Sequence, residues 1–249
     1  MHLTVCLLSL ILWLSLSVSH DRAQAAAIGL NPVADALVSS ANPSNNYGAA
    51  GALETSAAGL LRGEFQSVMK FDLAPAKTSL DSTFGVGQWQ IQSATLQLTT
   101  AAPNNSLFNT NVAGQFSASW MQNDAWAEGT GTPAAPTSDG VTFATLPTFL
   151  SGADESLGTF NFPGGTSGAN LYSLSLTSSF TSDLVAGNNV GFRLFAADSA
   201  MSYLVNSRNF PTQSARPLLT IEAVAVPEPA GAALVATLAL LTGARRGVR

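Results

Sequence analysis

The fold is decided by a stretch that alternates between polar and apolar side chains at every position, Ser93-Ala94-Thr95-Leu96-Gln97-Leu98-Thr99. Successive side chains of a β-strand point to opposite faces of the sheet, so a period of two places Ala94, Leu96 and Leu98 on one face. An amphipathic helix would instead need apolar side chains three and four residues apart. The stretch therefore predicts a strand of an antiparallel sheet with one buried face.

The same period of two recurs in four further segments of the chain. Each places apolar side chains at every second position: Met69, Phe71 and Leu73; Tyr172, Leu174 and Leu176; Val190, Phe192 and Leu194; and Leu219, Ile221 and Ala223. Clusters of Gly, Pro and Asn separate these segments, which is typical of the turns between antiparallel strands. The sequence therefore predicts an all-β body built as an antiparallel β-sandwich.

One short helix is predicted in this body, over Ser178–Ala186. Phe180, Leu184 and Val185 are expected to share the helix face that packs on the sandwich. Gly187, followed by Asn, is a typical left-handed stop at the end of a helix.

Residues 1–25 are predicted to be a secretory signal peptide. An apolar run at residues 3–18 is followed by Ala23 and Ala25, which frame a small-x-small cleavage site. No Lys or Arg precedes the run, which departs from the usual basic start. An uncleaved N-terminal anchor is the alternative. In both cases residues 26–225 are expected to be exported as one domain.

The last segment of the chain, residues 226–249, has three parts in a fixed order. Pro227, Glu228 and Pro229 form an extended linker, because proline is excluded from helix interiors and central strands and restricts the residue before it. An uncharged apolar run follows at residues 230–241. The chain then ends in a basic cluster formed by Arg245, Arg246 and Arg249.

This order of motif, apolar run and basic end resembles the PEP-CTERM sorting signal of Gram-negative bacteria. An exosortase, which is an intramembrane thiol protease, recognises and processes that signal. The 12 residues of this run span roughly 18 Å as a helix, against about 30 Å for a hydrocarbon core, which favours a transient transmembrane helix over a permanent anchor. A buried C-terminal core helix is the alternative. The resemblance implies a cell-surface or extracellular location, with exosortase and signal peptidase as processing partners.

The composition of the body excludes several classes of chemistry. Cys6, His2 and His20 all precede residue 26, so the body has neither Cys nor His. This excludes Cys–His and Ser–His–Asp catalysis and ordinary zinc or copper sites, whereas a structural Ca²⁺ held by carboxylates stays open. Residues 26–226 hold six Lys or Arg against thirteen Asp or Glu, so no nucleic-acid partner is expected.

Several segments of the body occur in a recognisable order. They are Asp35, residues 42–48, 68–73, 91–98 and 126–129, Asn206-Ser207-Arg208 and residues 215–221. The series resembles the DNRLRE domain, a jelly-roll family of secreted proteins related to carbohydrate-binding modules. One departure is Asn209, which follows Ser207-Arg208 where the family usually has Glu. The resemblance implies a jelly-roll-like sandwich and a polysaccharide as a partner.

Five aromatic side chains could stack on a sugar ring: Tyr47, Trp89, Trp120, Trp126 and Tyr203. Among them Tyr47, Trp126 and Tyr203 are the candidate glycan contacts. The alternative is that each is a core residue or a loop anchor, which is the commoner fate of a large aromatic side chain.

Two pairs of acidic residues could supply carboxylate chemistry. Asp124 and Glu128 flank Trp126, and Asp154 precedes Glu155 directly. Paired carboxylates serve glycoside hydrolysis, and clustered ones hold Ca²⁺. Neither pair has a distinctive motif, so no catalytic residue and no metal ligand is assigned from the sequence.

The resemblance to the DNRLRE domain implies a structural role for Arg208 and Arg216, because in that family their two motifs close the sandwich; polyanion binding is the alternative. They are expected to be partly buried and paired with carboxylates such as Asp35 or Glu128.

Taken with the two terminal signals, the sequence predicts a non-enzymatic surface or matrix protein with a carbohydrate-binding-like module, tied to exopolysaccharide or biofilm. Two alternatives stay open at this point. One is a structural surface protein with no glycan ligand, which predicts buried aromatic side chains. The other is a polysaccharide-degrading enzyme that uses carboxylates.

Overall fold

The computed structural model describes residues 25–102 and 111–226. The strands are β1 (Ala25–Leu30), β2 (Ala34–Ser39), β3 (Ala52–Ser56), β4 (Phe65–Asp72), β5 (Trp89–Thr99), β6 (Gly114–Met121), β7 (Glu155–Phe162), β8 (Ala169–Leu174), β9 (Asn189–Ala196), β10 (Ser202–Asn206) and β11 (Leu218–Ala225). The helices are α1 (Ala74–Phe84) and α2 (Ser178–Ala186), with 3₁₀ turns at Leu146–Phe149 and Gln213–Ala215.

The strands form two antiparallel sheets. The smaller sheet has the order β1-β11-β5-β8. The larger sheet has the order β10-β3-β4-β9-β6-β7, and β2 pairs with β4 beside this path. One core cluster draws side chains from both sheets, including Leu96 and Leu219 from the smaller and Met69 and Phe192 from the larger. The predicted all-β sandwich is confirmed.

The predicted alternation is seen directly in β5, where Ala94, Leu96 and Leu98 are at most 1% exposed. Their polar neighbours point to the outer face of the smaller sheet. Leu176 is an exception among the predicted inward positions, because β8 ends at Leu174 and Leu176 follows it as an exposed residue.

Helix α2 forms at the predicted residues, with one correction. Phe180 and Leu184 are buried, whereas Val185 is 50% exposed. Each helical residue turns by about 100°, so Val185 lies well away from the stripe that Phe180 and Leu184 share. Gly187 adopts the predicted left-handed conformation with φ 73°.

Helix α1 was not predicted, so the expectation of a single short helix is wrong. Its sequence is rich in Ser and Thr, which favour helices weakly, and only Ala76 and Leu80 are buried. One sequence feature did favour a helix here: Pro75 lies in the first turn, which is a favoured position for proline. Leu80 packs against Trp89, whose indole Nε1 donates to Asp81 at 2.8 Å.

The connection between β6 and β7, residues 122–154, covers the outer face of the larger sheet. Its Trp126, Val141 and Leu146 pack with residues of β2 and β4 in a second apolar cluster. A loop within it is closed by Asp139, which accepts hydrogen bonds from Thr137 Oγ1 at 2.6 Å and Thr130 Oγ1 at 2.7 Å.

The predicted signal peptide lies outside the described residues except for Ala25, and the predicted sorting tail lies outside them except for Val226. In the part of the chain that the structure describes, no helix is both long and apolar enough to cross a membrane.

Candidate functional site

One end of the sandwich holds a polar junction of three ionisable side chains, Asp35, Glu128 and Arg208. Arg208 Nη1 donates to Glu128 Oε1 at 3.0 Å and to Oε2 at 2.9 Å. The backbone N–H of Arg208 donates to Asp35 Oδ2 at 2.6 Å, and the backbone N–H of Asp35 donates to Glu128 Oε1 at 3.1 Å. The junction thus joins β2, the β6–β7 connection and the segment after β10.

The expected pairing of Arg208 with Glu128 is confirmed. Arg216 differs, because its Nε donates to the backbone carbonyl of Phe210 at 2.8 Å. No ion pair of Arg216 is present among the described residues.

Burial raises the pKa of Asp35 to about 7. The hydrogen bond from the Arg208 backbone opposes this shift, while the nearby negative charge of Glu128 adds to it. Desolvation dominates because Asp35 is completely buried, and its Oδ1 accepts no hydrogen bond from any described residue. Asp35 therefore changes its protonation state near neutral pH.

Asn46 is the centre of a second polar group beside the junction. Its Nδ2 donates to the carbonyls of Glu128 at 2.7 Å and Val141 at 2.8 Å. Its Oδ1 accepts from the backbone N–H of Gly48 at 3.0 Å and of Gly131 at 3.2 Å. The Asn46 side chain is fully buried, and every hydrogen-bonding position that it offers is used.

Close packing around Asn46 explains the glycine at position 48. A Cβ on Gly48 would lie 1.9 Å from the Glu128 carbonyl oxygen. Gly48 is not among the positive-φ glycines of the described residues. The glycine is required by this close approach of two backbones rather than by its own φ.

The candidate glycan contacts are all buried in this structure. Tyr47 is 6% exposed, and Trp126 and Tyr203 are each 2% exposed. Tyr203 stacks on Phe162 with ring centroids 3.8 Å apart. Trp126 lies under Lys70, whose Nζ is 4.7 Å from the ring centroid. Tyr47 and Tyr203 belong to the main core cluster and Trp126 to the second apolar cluster, so the three do not form one exposed row.

The two acidic pairs from the sequence are used separately. Asp154 accepts from the backbone N–H of Gln122 at 2.9 Å, and Glu155 accepts from Ser179 at the start of α2. Glu128 is engaged in the junction, whereas Asp124 lines a cleft elsewhere. Among the described residues, no group of three or more His, Cys, Asp or Glu side chains could hold a metal ion.

The cleft that contains Asp124 has a volume of about 360 Å³ and lies where β6, α2 and β9 meet. We call it the Asp183 cleft. Its walls are formed by Trp120, Met121, Gln122, Asp124, Asp183, Asn188 and Asn189. Trp120 Nε1 donates to Asp183 Oδ2 at 2.8 Å, and Asn188 Nδ2 donates to Asp183 Oδ1 at 3.1 Å.

A second cleft, of about 490 Å³, lies beside Arg216 and is also walled by Asn31, Gln213, Ser214 and Leu218. We call it the Arg216 cleft. It presents one cation, whereas the Asp183 cleft presents two carboxylates, so the two clefts differ in the charge of the ligand that each would accept.

The candidates predicted from the sequence do not include three polar side chains that the structure makes prominent: Asn46, Asp183 and Glu54. Glu54 is 1% exposed, burial raises its pKa to about 7, and Ser202 Oγ donates to it at 3.2 Å. Glu54 lies between Leu53 and Thr55 in β3, and an acidic residue in such a strand is usually solvent-facing, so nothing local indicated its burial.

Compared with known proteins, the chain matches no family model and no curated protein sequence. The resemblances to the DNRLRE domain and to the PEP-CTERM signal therefore stay predictions from the residues quoted above.

Proposed function

We propose that this chain is an exported cell-surface or extracellular-matrix protein, sorted by an exosortase, with a jelly-roll-like sandwich that acts as a non-enzymatic carbohydrate-binding module. The proposal takes its location from the predicted signals at the two ends of the chain. It takes its carbohydrate partner from the resemblance to the DNRLRE domain.

The observation that carries the proposal is the pairing of β1 with β11. Ala25 lies opposite Val224 in this antiparallel pair, and β11 ends at Ala225. The predicted cleavage site and the Pro-Glu-Pro linker therefore adjoin the same end of the smaller sheet. Both processing events would act at this end of the sheet, and cleavage after Ala25 would remove only the first residue of β1.

Processing can be tested in a Gram-negative host that carries an exosortase. We expect the exported protein to begin at Ala26, by N-terminal sequencing, and to lose its basic end, by intact mass. Glu228→Gln should leave the C-terminal segment in place and retain the protein in the membrane fraction. Glu222→Gln is the matched control, because Glu222 is an exposed carboxylate of β11 bonded to Ser93. Identical processing of both variants would contradict a sorting role for Glu228.

A second candidate function, a structural surface protein with no glycan ligand, is supported by the burial of Tyr47, Trp126 and Tyr203. The two candidates differ in whether the purified full-length chain is retained on immobilised polysaccharides. Retention supports the carbohydrate-binding module, and no retention on any polysaccharide supports the structural role. Shortening of a polysaccharide by the chain would overturn the non-enzymatic proposal.

A further inference from the structure

We infer that the Asp183 cleft is a binding site for a neutral sugar residue of a polysaccharide. The inference rests on the proposed carbohydrate-binding function and assigns its site and its ligand class. The volume of about 360 Å³ is at the lower end of the range of about 300–1,000 Å³ for small-molecule sites.

The carboxylate of Asp183 is held in a fixed orientation on the wall of the cleft. The indole of Trp120 holds one oxygen and the carboxamide of Asn188 holds the other, as described above. Each carboxylate oxygen accepts about two hydrogen bonds, so each keeps capacity for a further donor. A hydroxyl of a ligand would meet an acceptor whose orientation is already set, which lowers the entropy lost on binding.

The carboxylate of Asp124 is the free acceptor of the cleft. Among the described residues it takes part in no hydrogen bond and no ion pair. It lies close to β9 because position 191 is glycine, where a Cβ would come 2.9 Å from the Asp124 Cβ. Glycine at position 191 thus leaves space for an acidic side chain that has no partner in the part of the chain that the structure describes.

The remaining polar walls are carboxamides, which both donate and accept hydrogen bonds. Ser151 Oγ donates to Gln122 Oε1 at 2.6 Å, so the amide nitrogen of Gln122 is left for a ligand. Asn189, at the start of β9, is exposed at the rim. Neighbouring carboxylates and carboxamides match the paired hydroxyls of a sugar, which act as donors and acceptors together.

The charge of the cleft selects against other ligand classes. Neither Lys nor Arg is among its lining residues, so the two carboxylates would repel a uronate, a sulfate or a phosphate. Only Trp120 and Met121 are apolar, which does not suit a lipid chain. A divalent cation would find two carboxylates where tight Ca²⁺ sites usually offer more acidic ligands.

The test uses the full-length chain in mild detergent. Its retention is measured on immobilised neutral glucans, mannans and galactans and on polyuronates, with Ca²⁺ and with EDTA. We expect retention on a neutral polysaccharide that persists in EDTA. Asp124→Asn, which keeps the shape of the side chain, should weaken binding about tenfold or more, since hydrogen bonds to charged groups are among the stronger ones. Asn189→Ala should weaken it as well.

Arg216→Gln is the matched control in the other cleft and should leave neutral-sugar binding unchanged. Melting curves confirm that each variant is folded. Equal binding by Asp124→Asn and the unchanged chain would overturn the site while leaving the proposed function in place. Retention on polyuronates alone that is abolished by Arg216→Gln would also overturn the site in the Asp183 cleft and leave the proposed function in place. Binding of Ca²⁺ alone that depends on Asp124 would overturn the ligand class. No retention on any polysaccharide would remove both the site and the carbohydrate-binding function.

Discussion

Replacing Asn46 by alanine should be among the most damaging polar substitutions in this protein. The change removes both donors and the acceptor of the buried carboxamide. It leaves the carbonyls of Glu128 and Val141 and the N–H groups of Gly48 and Gly131 without this partner. These four groups belong to the two loops that the Asn46 side chain holds together.

The magnitude follows from counting those groups. An unsatisfied buried donor or acceptor costs about 1–3 kcal/mol, so four of them cost at least about 4 kcal/mol if all stay dry. Water that enters the space left by the side chain would recover part of this, which gives an expected loss of about 3–5 kcal/mol. A typical domain has a free energy of unfolding of about 5–15 kcal/mol, so the variant should be barely stable.

Urea unfolding followed by tryptophan fluorescence measures this loss, since Trp126 is buried close to the affected loop. Asn45→Ala is the matched control. Asn45 donates one bond, to Tyr47 Oη at 3.3 Å, so its loss should cost less than about 1 kcal/mol. Asn46→Asp keeps the acceptor but directs a buried carboxylate oxygen at the carbonyls of Glu128 and Val141, so it should be at least as destabilising as Asn46→Ala. An Asn46→Ala variant that is no less stable than Asn45→Ala would refute this account of the loop anchor.

Three further predictions concern pH and packing. Asp35 is stabilising in its protonated form, so its contribution is fully present below about pH 4 and is lost as pH rises through about 7. Asp35→Asn should therefore flatten the fall in melting temperature over that range, with the remaining slope due to Glu54. Gly48→Ala should cost about 1–3 kcal/mol in urea unfolding, because its Cβ would collide with the Glu128 carbonyl. Hydrogen bonds from two threonines lower the pKa of Asp139 to about 2, so its contribution is present above about pH 4 and is lost as pH falls through about 2. Asp139→Ala should remove this acid-side loss in melting curves and speed proteolysis of the loop it closes.

The strands could be predicted because burial on one face of a sheet imposes a local pattern. The alternation in β5 and β9 appears in the sequence wherever the strand itself runs, and it needs no knowledge of distant residues. Helix α2 was predictable for the same reason, from Phe180 and Leu184 and the terminal Gly187. Helix α1 lacked such a pattern, because only Ala76 and Leu80 are buried and four of its other residues are Ser or Thr.

The polar anchor and the cleft could not be predicted, because their partners are far apart in the chain. Asn46 bonds to groups 82 and 95 residues away, and in sequence it lies in what looks like an ordinary turn. Asp124 was considered with Glu128 because they lie four positions apart in the sequence. The chain between them instead directs Glu128 to Arg208 and leaves Asp124 beside Asp183. Spacing along a loop carries little information about which side chains meet.

The position of β11 has a mechanical consequence for a protein held by its C-terminal end. Antiparallel hydrogen bonds run across the strands, so a pull along β11 loads its bonds to β1 and β5 together, in shear. A force that pulled Ala25 and Val224 apart, perpendicular to the strands, would instead break the hydrogen bonds between β1 and β11 one after another. If the chain is held through the segment after β11, as proposed, external load falls on β11 in shear, with β1 and β5 paired on either side.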